Sequence, residues 1–184
     1  MAIYKFNEIL NDLVDYFLLA DTQLLLDYKQ QHQLPDDLLT EFTTEETGDR
    51  VVQQGIMIPL ARVNNYPYTI IFNLSGTPVL EQDGNDLQLR KDGYILRVQH
   101  GRIYLFTMPY LRRFTSESPL NIARLQRATI ELENGWYEVS VLGGQLKEGE
   151  DLEPCFEFLL NWVEEQPEYK GDISGSFSID ADQY

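Results

Sequence analysis

Alternating apolar and polar residues in the middle of the chain predict a series of short β-strands. Between Leu87 and Thr107, the pairs Asp92-Gly93 and His100-Gly101 divide the sequence into three strand-sized segments. Asp-Gly favours a two-residue hairpin, because a type I′ turn needs positive φ at both central residues. The predicted facing pairs, all apolar, are Leu89 with Leu96, Leu87 with Val98, Val98 with Ile103, and Leu96 with Leu105.

Asn134-Gly135 predicts a further hairpin of the same kind. Its predicted facing pairs are Leu132 with Tyr137, Ile130 with Val139, and Ala128 with Val141. A slip of one residue would turn every apolar side chain outward, so the hydrophobic pattern specifies the register.

Helical structure is predicted at the N-terminus, over residues 3–33. Apolar side chains recur there at intervals of three and four residues, as at Ile3, Phe6, Leu10, Leu13 and Phe17. Asp21 is expected to cap a second helical segment, and Asp36 a short turn after Pro35. The polar residues 43–49 are expected to form a loop.

The second half of the chain contains two further helical predictions. A helix within residues 109–126 is expected to begin near Pro119 and to direct Leu120, Ala123 and Leu125 inward. Residues 155–163 are densely apolar, which favours a helix after Pro154. A buried strand is the alternative, because periodicity alone does not separate the two.

These elements predict an α+β protein with a single domain over residues 1–184. A mainly antiparallel sheet of about eight strands, strongly curved or two-layered, is expected over residues 51–142. A helical N-terminal part (1–42) and a C-terminal helix (154–166) would pack on it, followed by a partly ordered acidic tail (167–184).

The net charge of the chain narrows the classes of partner that the protein could bind. The chain has 14 basic and 30 acidic residues among 184, a formal net charge of −16. This balance argues against binding to nucleic acid or anionic membranes and favours a protein partner with a basic surface. The sequence has no apolar segment near the ~18 residues of a membrane span, so we expect a cytoplasmic protein. The single cysteine, Cys155, excludes an internal disulfide.

Catalytic motifs are absent from the sequence. It has no glycine-rich phosphate loop, no His-Glu-x-x-His and no Gly-x-Ser-x-Gly. The two histidines, His32 and His100, lie in a polar helix end and a predicted turn. We therefore predict no catalytic residue, no metal ligand and no cofactor, although the many carboxylates leave a spatial acid pair open.

The outer face of the Asn134-Gly135 hairpin is the first candidate site. The predicted register places Glu131 opposite Glu138, and Glu133 opposite Trp136. Like charges directly across an antiparallel pair are unfavourable, so this arrangement indicates an acidic and aromatic surface that binds a cationic partner. The alternative is a solvated sheet face, with Trp136 under a loop or beside Arg124 and Arg127.

Three arginines form the second candidate site. In the predicted register Arg90, Arg97 and Arg102 share an outer face with Tyr104, and also with Ile95 and Phe106. Such a face is a candidate site for an anion or an acidic peptide. The alternative is cover by an acidic helix, such as the predicted one that bears Glu8, Asp12 and Asp15.

Three classes of function are compatible with these patterns. The first is a non-enzymatic inhibitor or immunity-type protein that masks a basic partner such as a nuclease. The second is a homodimeric chaperone or adaptor of the secretion type. The third is an enzyme or small-ligand-binding protein. The sequence leaves the oligomeric state open.

Overall fold

The computed structural model describes residues 2–9, 16–125 and 128–181. These residues form nine strands, four α-helices and one 3₁₀ helix, and the predicted α+β class is confirmed. The elements are β1 (Ile3–Ile9), β2 (Tyr16–Ala20), α1 (Thr22–Gln31), α2 (Leu38–Thr44), α3 (Thr47–Gln53), β3 (Ile58–Ala61), β4 (Tyr68–Asn73), β5 (Asp86–Val98), β6 (Arg102–Thr107), the 3₁₀ helix (Met108–Arg113), α4 (Ser118–Arg124), β7 (Thr129–Glu131), β8 (Gly135–Glu148) and β9 (Asp151–Val163).

The strands form two sheets that enclose the main core. The first sheet has the order β1-β4-β9-β8-β5 and the second the order β3-β2-β6-β7. Neighbouring strands are antiparallel except β4 and β9, which are parallel. Phe17 of the second sheet contacts Tyr68 and Phe156 of the first, with ring centroids 5.7 and 6.4 Å apart. Since β1, β2 and β9 belong to the sheets, these extend well beyond residues 51–142.

Helices cover the outer face of the second sheet. Leu18 of β2 and Phe106 of β6 are buried in a second apolar cluster, together with Leu25 of α1 and Val52 of α3. With the core on one side and helices on the other, β2 is buried on both faces. This explains its continuous apolar sequence.

The N-terminal helix prediction is wrong for residues 3–9 and 16–20, which form β1 and β2. The spacing of their apolar residues fits a helix, but strand pairing overrides it. Leu10, Leu13 and the rest of residues 10–15 lie outside the described residues. The predicted cap at Asp21 is confirmed, since its Oδ1 accepts a hydrogen bond from the Leu24 amide at 3.1 Å.

The predicted hairpin at Asp92-Gly93 is wrong. Strand β5 continues through this pair, with a shift of register against β8 between Lys91 and Tyr94. Gly93 has a φ of 86°, and the Lys170 amide donates to its carbonyl at 2.9 Å. A side chain there would meet the backbone of Lys170. The glycine therefore forms a bulge and allows the C-terminal segment to approach.

The other two predicted turns join the sheets instead of forming hairpins. His100-Gly101 connects β5 of the first sheet to β6 of the second, and Asn134-Gly135 lies where the chain passes from β7 to β8. The predicted cross-strand pairs are therefore wrong. The inward orientation is nevertheless correct for most of these residues: Leu96 and Leu105, for example, are buried in the same core cluster, whereas Leu87 is 37% exposed.

Three further expectations differ from the structure. Residues 43–49, expected as a loop, include the end of α2 and the start of α3. Residues 155–163 belong to strand β9 instead of a helix, because a central strand covered on both faces is as densely apolar as a buried helix. In α4, Leu120 and Leu125 are exposed, and Ile122 is buried instead.

The C-terminal segment, residues 167–181, closes the open side of the sandwich between β5 and β3. The Phe177 amide donates to the Ala61 carbonyl at 2.9 Å, and the Asp180 amide to Gln88 Oε1 at 2.7 Å. Phe177 is 1% exposed and Ile179 2% exposed, both within the main core. The acidic tail expected to be partly ordered thus contributes core residues as far as residue 179.

A buried carboxylate fixes the segment that covers the outer face of the first sheet. Glu157 of β9 is 0% exposed and accepts hydrogen bonds from the amides of Val79 and Leu80, both at 2.8 Å. The Asn73 side-chain amide donates to the same carboxylate at 2.6 Å. Beside it, burial raises the pKa of the Cys155 thiol well above its ordinary value, so this thiol is an unreactive core side chain.

Candidate acidic–aromatic interface

An open cleft lies at the end of the sandwich where β7 leads into β8. It has a volume of about 400 Å³ and is lined by residues of both sheets. We call it the acidic–aromatic cleft, and its lining residues are Leu74, Glu131, Leu132, Glu133, Tyr137, Leu160, Asn161 and Trp162.

Trp162 provides the aromatic surface of the cleft. It follows Leu160 on the inner face of β9 and pairs in register with Tyr137 of β8. Leu160 is 2% exposed, whereas Trp162 is 53% exposed. The indole lies against the backbone of Gly135, where an added Cβ would come within 2.6 Å of its Nε1. The ring is therefore held by the sheet while half of its surface remains available.

Two carboxylates share the cleft with the indole. Glu131 forms an ion pair with Arg102, its neighbour in register on β6. Glu133 forms no ion pair with any described residue, and its backbone carbonyl accepts a hydrogen bond from the Tyr137 hydroxyl at 2.8 Å. Burial raises the pKa of that phenol, so it remains a hydrogen-bond donor at neutral pH. The cleft thus contains one carboxylate that is already paired and one that is not.

More negative charge lies near the cleft. Glu138 is exposed on the outer face of β8, opposite Asn161 in the β8–β9 register. Glu164 and Glu165 follow directly after β9 and are also exposed. Like Glu133, these three carboxylates form no ion pair within residues 2–9, 16–125 and 128–181. An exposed indole amid unpaired carboxylates is chemically suited to a cationic side chain.

The structure brings together only part of the acidic surface predicted from the sequence. Glu131 and Glu133 share the cleft, whereas Glu138, two residues from Trp136, lies on the face of β8 opposite to that of Tyr137. Trp136 lies on the same face as Glu138 and contacts the guanidinium of Arg97, 5.7 Å from the ring centroid. The predicted pairs Glu131–Glu138 and Glu133–Trp136 are wrong, because β7 and β8 belong to different sheets.

Trp162 was missed by sequence reasoning because it ends a densely apolar segment. The available signal is its position. It is the last inward residue of an alternating series, two residues beyond Leu160, and acidic residues follow it at once.

The predicted arginine face does not form. Arg90 pairs with Glu81 and Asp92, Arg102 pairs with Glu131, and the Arg97 guanidinium lies over the Trp136 ring. Arg102 is separated from the other two because β6 and β5 lie in different sheets, and the register shift at Gly93 lies between Arg90 and Arg97. Ile95 and Phe106 are buried and Tyr104 is half-buried. The helices of the second apolar cluster cover the outer face of β6. The expected acidic N-terminal helix does not, since Glu8 is in β1. Asp12 and Asp15 lie outside the described residues.

A metal site is absent from the described ranges, since their histidines, cysteine and carboxylates nowhere gather in a group of three or more that could hold a metal ion. Among the described helices, none combines the length and the apolar content that crossing a bilayer requires.

Comparison with known proteins gives one structural likeness. No protein family model matches the sequence, and no curated protein sequence matches it. One solved structure is similar, described as the crystal structure of ComJ, inhibitor of the DNA degrading activity of NucA, from Bacillus subtilis. The TM-score is 0.45 at 11% identity, covering 89% of this chain and 96% of that one. A likeness at this level carries no argument about function.

Proposed function

We propose that this protein is a non-enzymatic inhibitor or immunity-type protein, which binds a basic surface on a partner protein such as a nuclease. One observation carries the proposal. The half-exposed Trp162 lies in the same cleft as Glu133, a carboxylate without an ionic partner among the described residues, on a chain with a net charge of −16.

The cleft offers two interactions to one basic side chain. A lysine or arginine on the indole face gains about 0.5–2 kcal/mol, more when water is excluded. The same cation pairs with Glu133, and a partner docked over the apolar Leu132 and Leu160 would exclude water from the contact. Tryptophan and charged groups in such desolvated positions are typical of binding hot spots.

The flanking carboxylates act at longer range. Glu138, Glu164 and Glu165 are exposed, so they contribute little to affinity once water and salt screen them. Their field accelerates the encounter with a cationic surface and disfavours acidic partners. A fast association rate that falls as salt is added is therefore expected.

The first prediction concerns inhibition of nucleases. A panel of basic endonucleases, NucA among them, is assayed by plasmid digestion with and without the intact protein. We expect at least one member to be inhibited. Combining Trp162→Ala with Glu133→Lys is then expected to weaken binding by roughly 30-fold or more, the scale of a hot-spot loss of about 2 kcal/mol.

Matched variants separate the cleft from general charge. Glu45→Lys makes the same charge change at an exposed residue after α2, and Leu120→Ala shortens a leucine that is 55% exposed on α4. Both are expected to inhibit like the unmodified protein. Full inhibition by the cleft variant, or equal loss in the control variants, would exclude the cleft as the binding surface. A panel in which no basic nuclease is bound or inhibited would contradict the proposed function.

A further inference from the structure

A second cavity lies on the other side of β8, at the point where α1, α3 and β5 meet. Its volume is about 660 Å³. We call it the arginine–tryptophan cavity, and its lining residues are Leu24, Asp27, Tyr28, Gln31, His32, Gln54, Ile56, Arg97, Gln99, Trp136 and Gln166. The volume is within the range typical of small-molecule sites.

Arg97 is the charged group in this cavity that is left for a ligand. Its guanidinium lies over the Trp136 ring and forms no ion pair with the described residues. Asp27 is already engaged, because Gln23 Nε2 donates to its Oδ1 at 3.2 Å and His100 Nε2 lies 3.3 Å from its Oδ2. The cavity therefore offers one free positive charge on a strongly acidic protein.

Neutral hydrogen-bonding groups surround this charge. Gln31, Gln54, Gln99 and Gln166 line the cavity, and their side-chain amides form no hydrogen bond to the described residues. Each amide supplies one acceptor and two donors. The guanidinium of Arg97 is planar, and its fork of N–H groups matches the two oxygens of a carboxylate.

The cavity walls are fixed before any ligand arrives. The Arg97 amide donates to the Gly55 carbonyl at 2.7 Å, which joins β5 to the end of α3. Asp21, the cap of α1, also accepts the Gln99 amide at 2.9 Å through its second oxygen. Because these contacts use backbone groups and a buried side chain, the backbone that carries Arg97 and Gln99 is held in place by the fold.

We propose that the arginine–tryptophan cavity binds a small carboxylate ligand with amide or hydroxyl groups beside the carboxylate. Arg97 pairs with the carboxylate, the glutamine amides bind its neighbouring polar groups, and Trp136 packs against its apolar surface. The site is separate from the acidic–aromatic cleft and does not depend on the proposed inhibitory function. Two sources have this chemistry: the C-terminus of a peptide and a sugar acid.

The test is an NMR titration of the full-length protein with defined probes. The probes are acetyl-dipeptides with a free carboxylate, the same dipeptides with an amidated C-terminus, glucuronate, glucose and inorganic phosphate. We expect a carboxylate probe to shift the indole N–H signal of Trp136 and to leave that of Trp162 unchanged. Dipeptide binding identifies a peptide terminus as the source, and glucuronate binding a sugar acid.

Variants assign the contact. Arg97→Gln is expected to weaken carboxylate binding about 10- to 100-fold, the scale of a charge-assisted hydrogen bond. Arg97→Lys keeps the positive charge but lacks the planar fork of N–H groups. Its affinity for the carboxylate probe is expected to lie between those of the unmodified protein and Arg97→Gln. Arg113→Gln, at an exposed arginine of the 3₁₀ helix, is expected to bind normally. The proposal is overturned if no carboxylate probe binds, if amidated probes or phosphate bind as tightly, or if Arg97→Gln and Arg97→Lys both bind normally.

Discussion

Replacing Phe177 with alanine is expected to destabilise the protein by about 3–5 kcal/mol. The phenyl ring is 1% exposed and fills the main core, although it comes from a segment without helix or strand. It contacts the Tyr94 ring at a centroid distance of 6.2 Å, and Lys91 lies 4.9 Å above its face. Truncation leaves a cavity at the edge where the two sheets are open. Urea unfolding measures the change through the midpoint of the transition.

Leu120→Ala is the matched control for this change. It also removes an apolar side chain, but one that is 55% exposed, and we expect a change within about 0.5 kcal/mol. If both variants unfolded at the same urea concentration, the C-terminal segment would not close the sandwich in solution.

Alkaline pH is expected to unfold the protein steeply. Burial raises the pKa of Tyr68 and Tyr94 far above the ordinary phenol value, and raises those of Tyr28 and Tyr137 as well. It also raises the pKa of the half-buried Tyr169 to about 12. These phenols therefore stay protonated in the folded chain at a pH where the same phenols are ionised in the unfolded chain.

The sign of the effect follows from proton linkage. Below about pH 10, the pKa of an unfolded tyrosine, this contribution to stability is fully present. As the pH rises further, the unfolded state binds fewer protons, so each fully buried tyrosine removes about 1.4 kcal/mol of stability per pH unit. Tyr68 and Tyr94, whose pKa values are raised most, each follow this slope, and the smaller upward shifts of Tyr28 and Tyr137 add to the loss.

Urea unfolding at about pH 9 and about pH 11 measures this loss of stability. Tyr68→Phe is expected to reduce the loss by about 1.4 kcal/mol in total, since its hydroxyl, which donates to the Asn64 carbonyl at 2.7 Å, is removed. Phenolate absorbance is expected to rise only together with unfolding. Five phenols that titrate near pH 10 in the folded protein would contradict the burial described above.

Side-chain orientation could be predicted from the sequence, but strand partners could not. Alternation placed Leu96, Leu105, Ile130 and Val139 in the core, and all four are buried there. The alternation of apolar and polar residues specifies which face of a strand points to the core. It does not specify which strand lies beside it, because in a sandwich either sheet can supply the neighbour across the core. A glycine turn can therefore join two strands of one sheet or pass between sheets, with the same residues inward.

The wrong helix predictions over β2 and β9 have one physical origin. Both strands are covered on both faces, so their buried segments are densely apolar and match a helical period equally well. Position along the strand also decides exposure. Trp162 continues the series of inward-facing residues of β9 but is half-exposed. The sequence does not show where the second sheet, which lies opposite, ends. The candidate site therefore emerged only once both sheets were in place.

Fluorescence quenching tests the acidic–aromatic cleft most directly. The chain has two tryptophans, so the variant Trp136→Phe leaves Trp162 as the single emitter. With each quenching constant divided by that of free tryptophan amide at the same ionic strength, we predict that caesium quenches Trp162 more strongly than iodide, because Glu133 and its neighbours attract the cation and repel the anion. Changing Glu131 and Glu133 to glutamine is predicted to reduce the ratio of caesium to iodide quenching. Equal quenching by both ions, or protection from both, would contradict an exposed indole amid unpaired carboxylates.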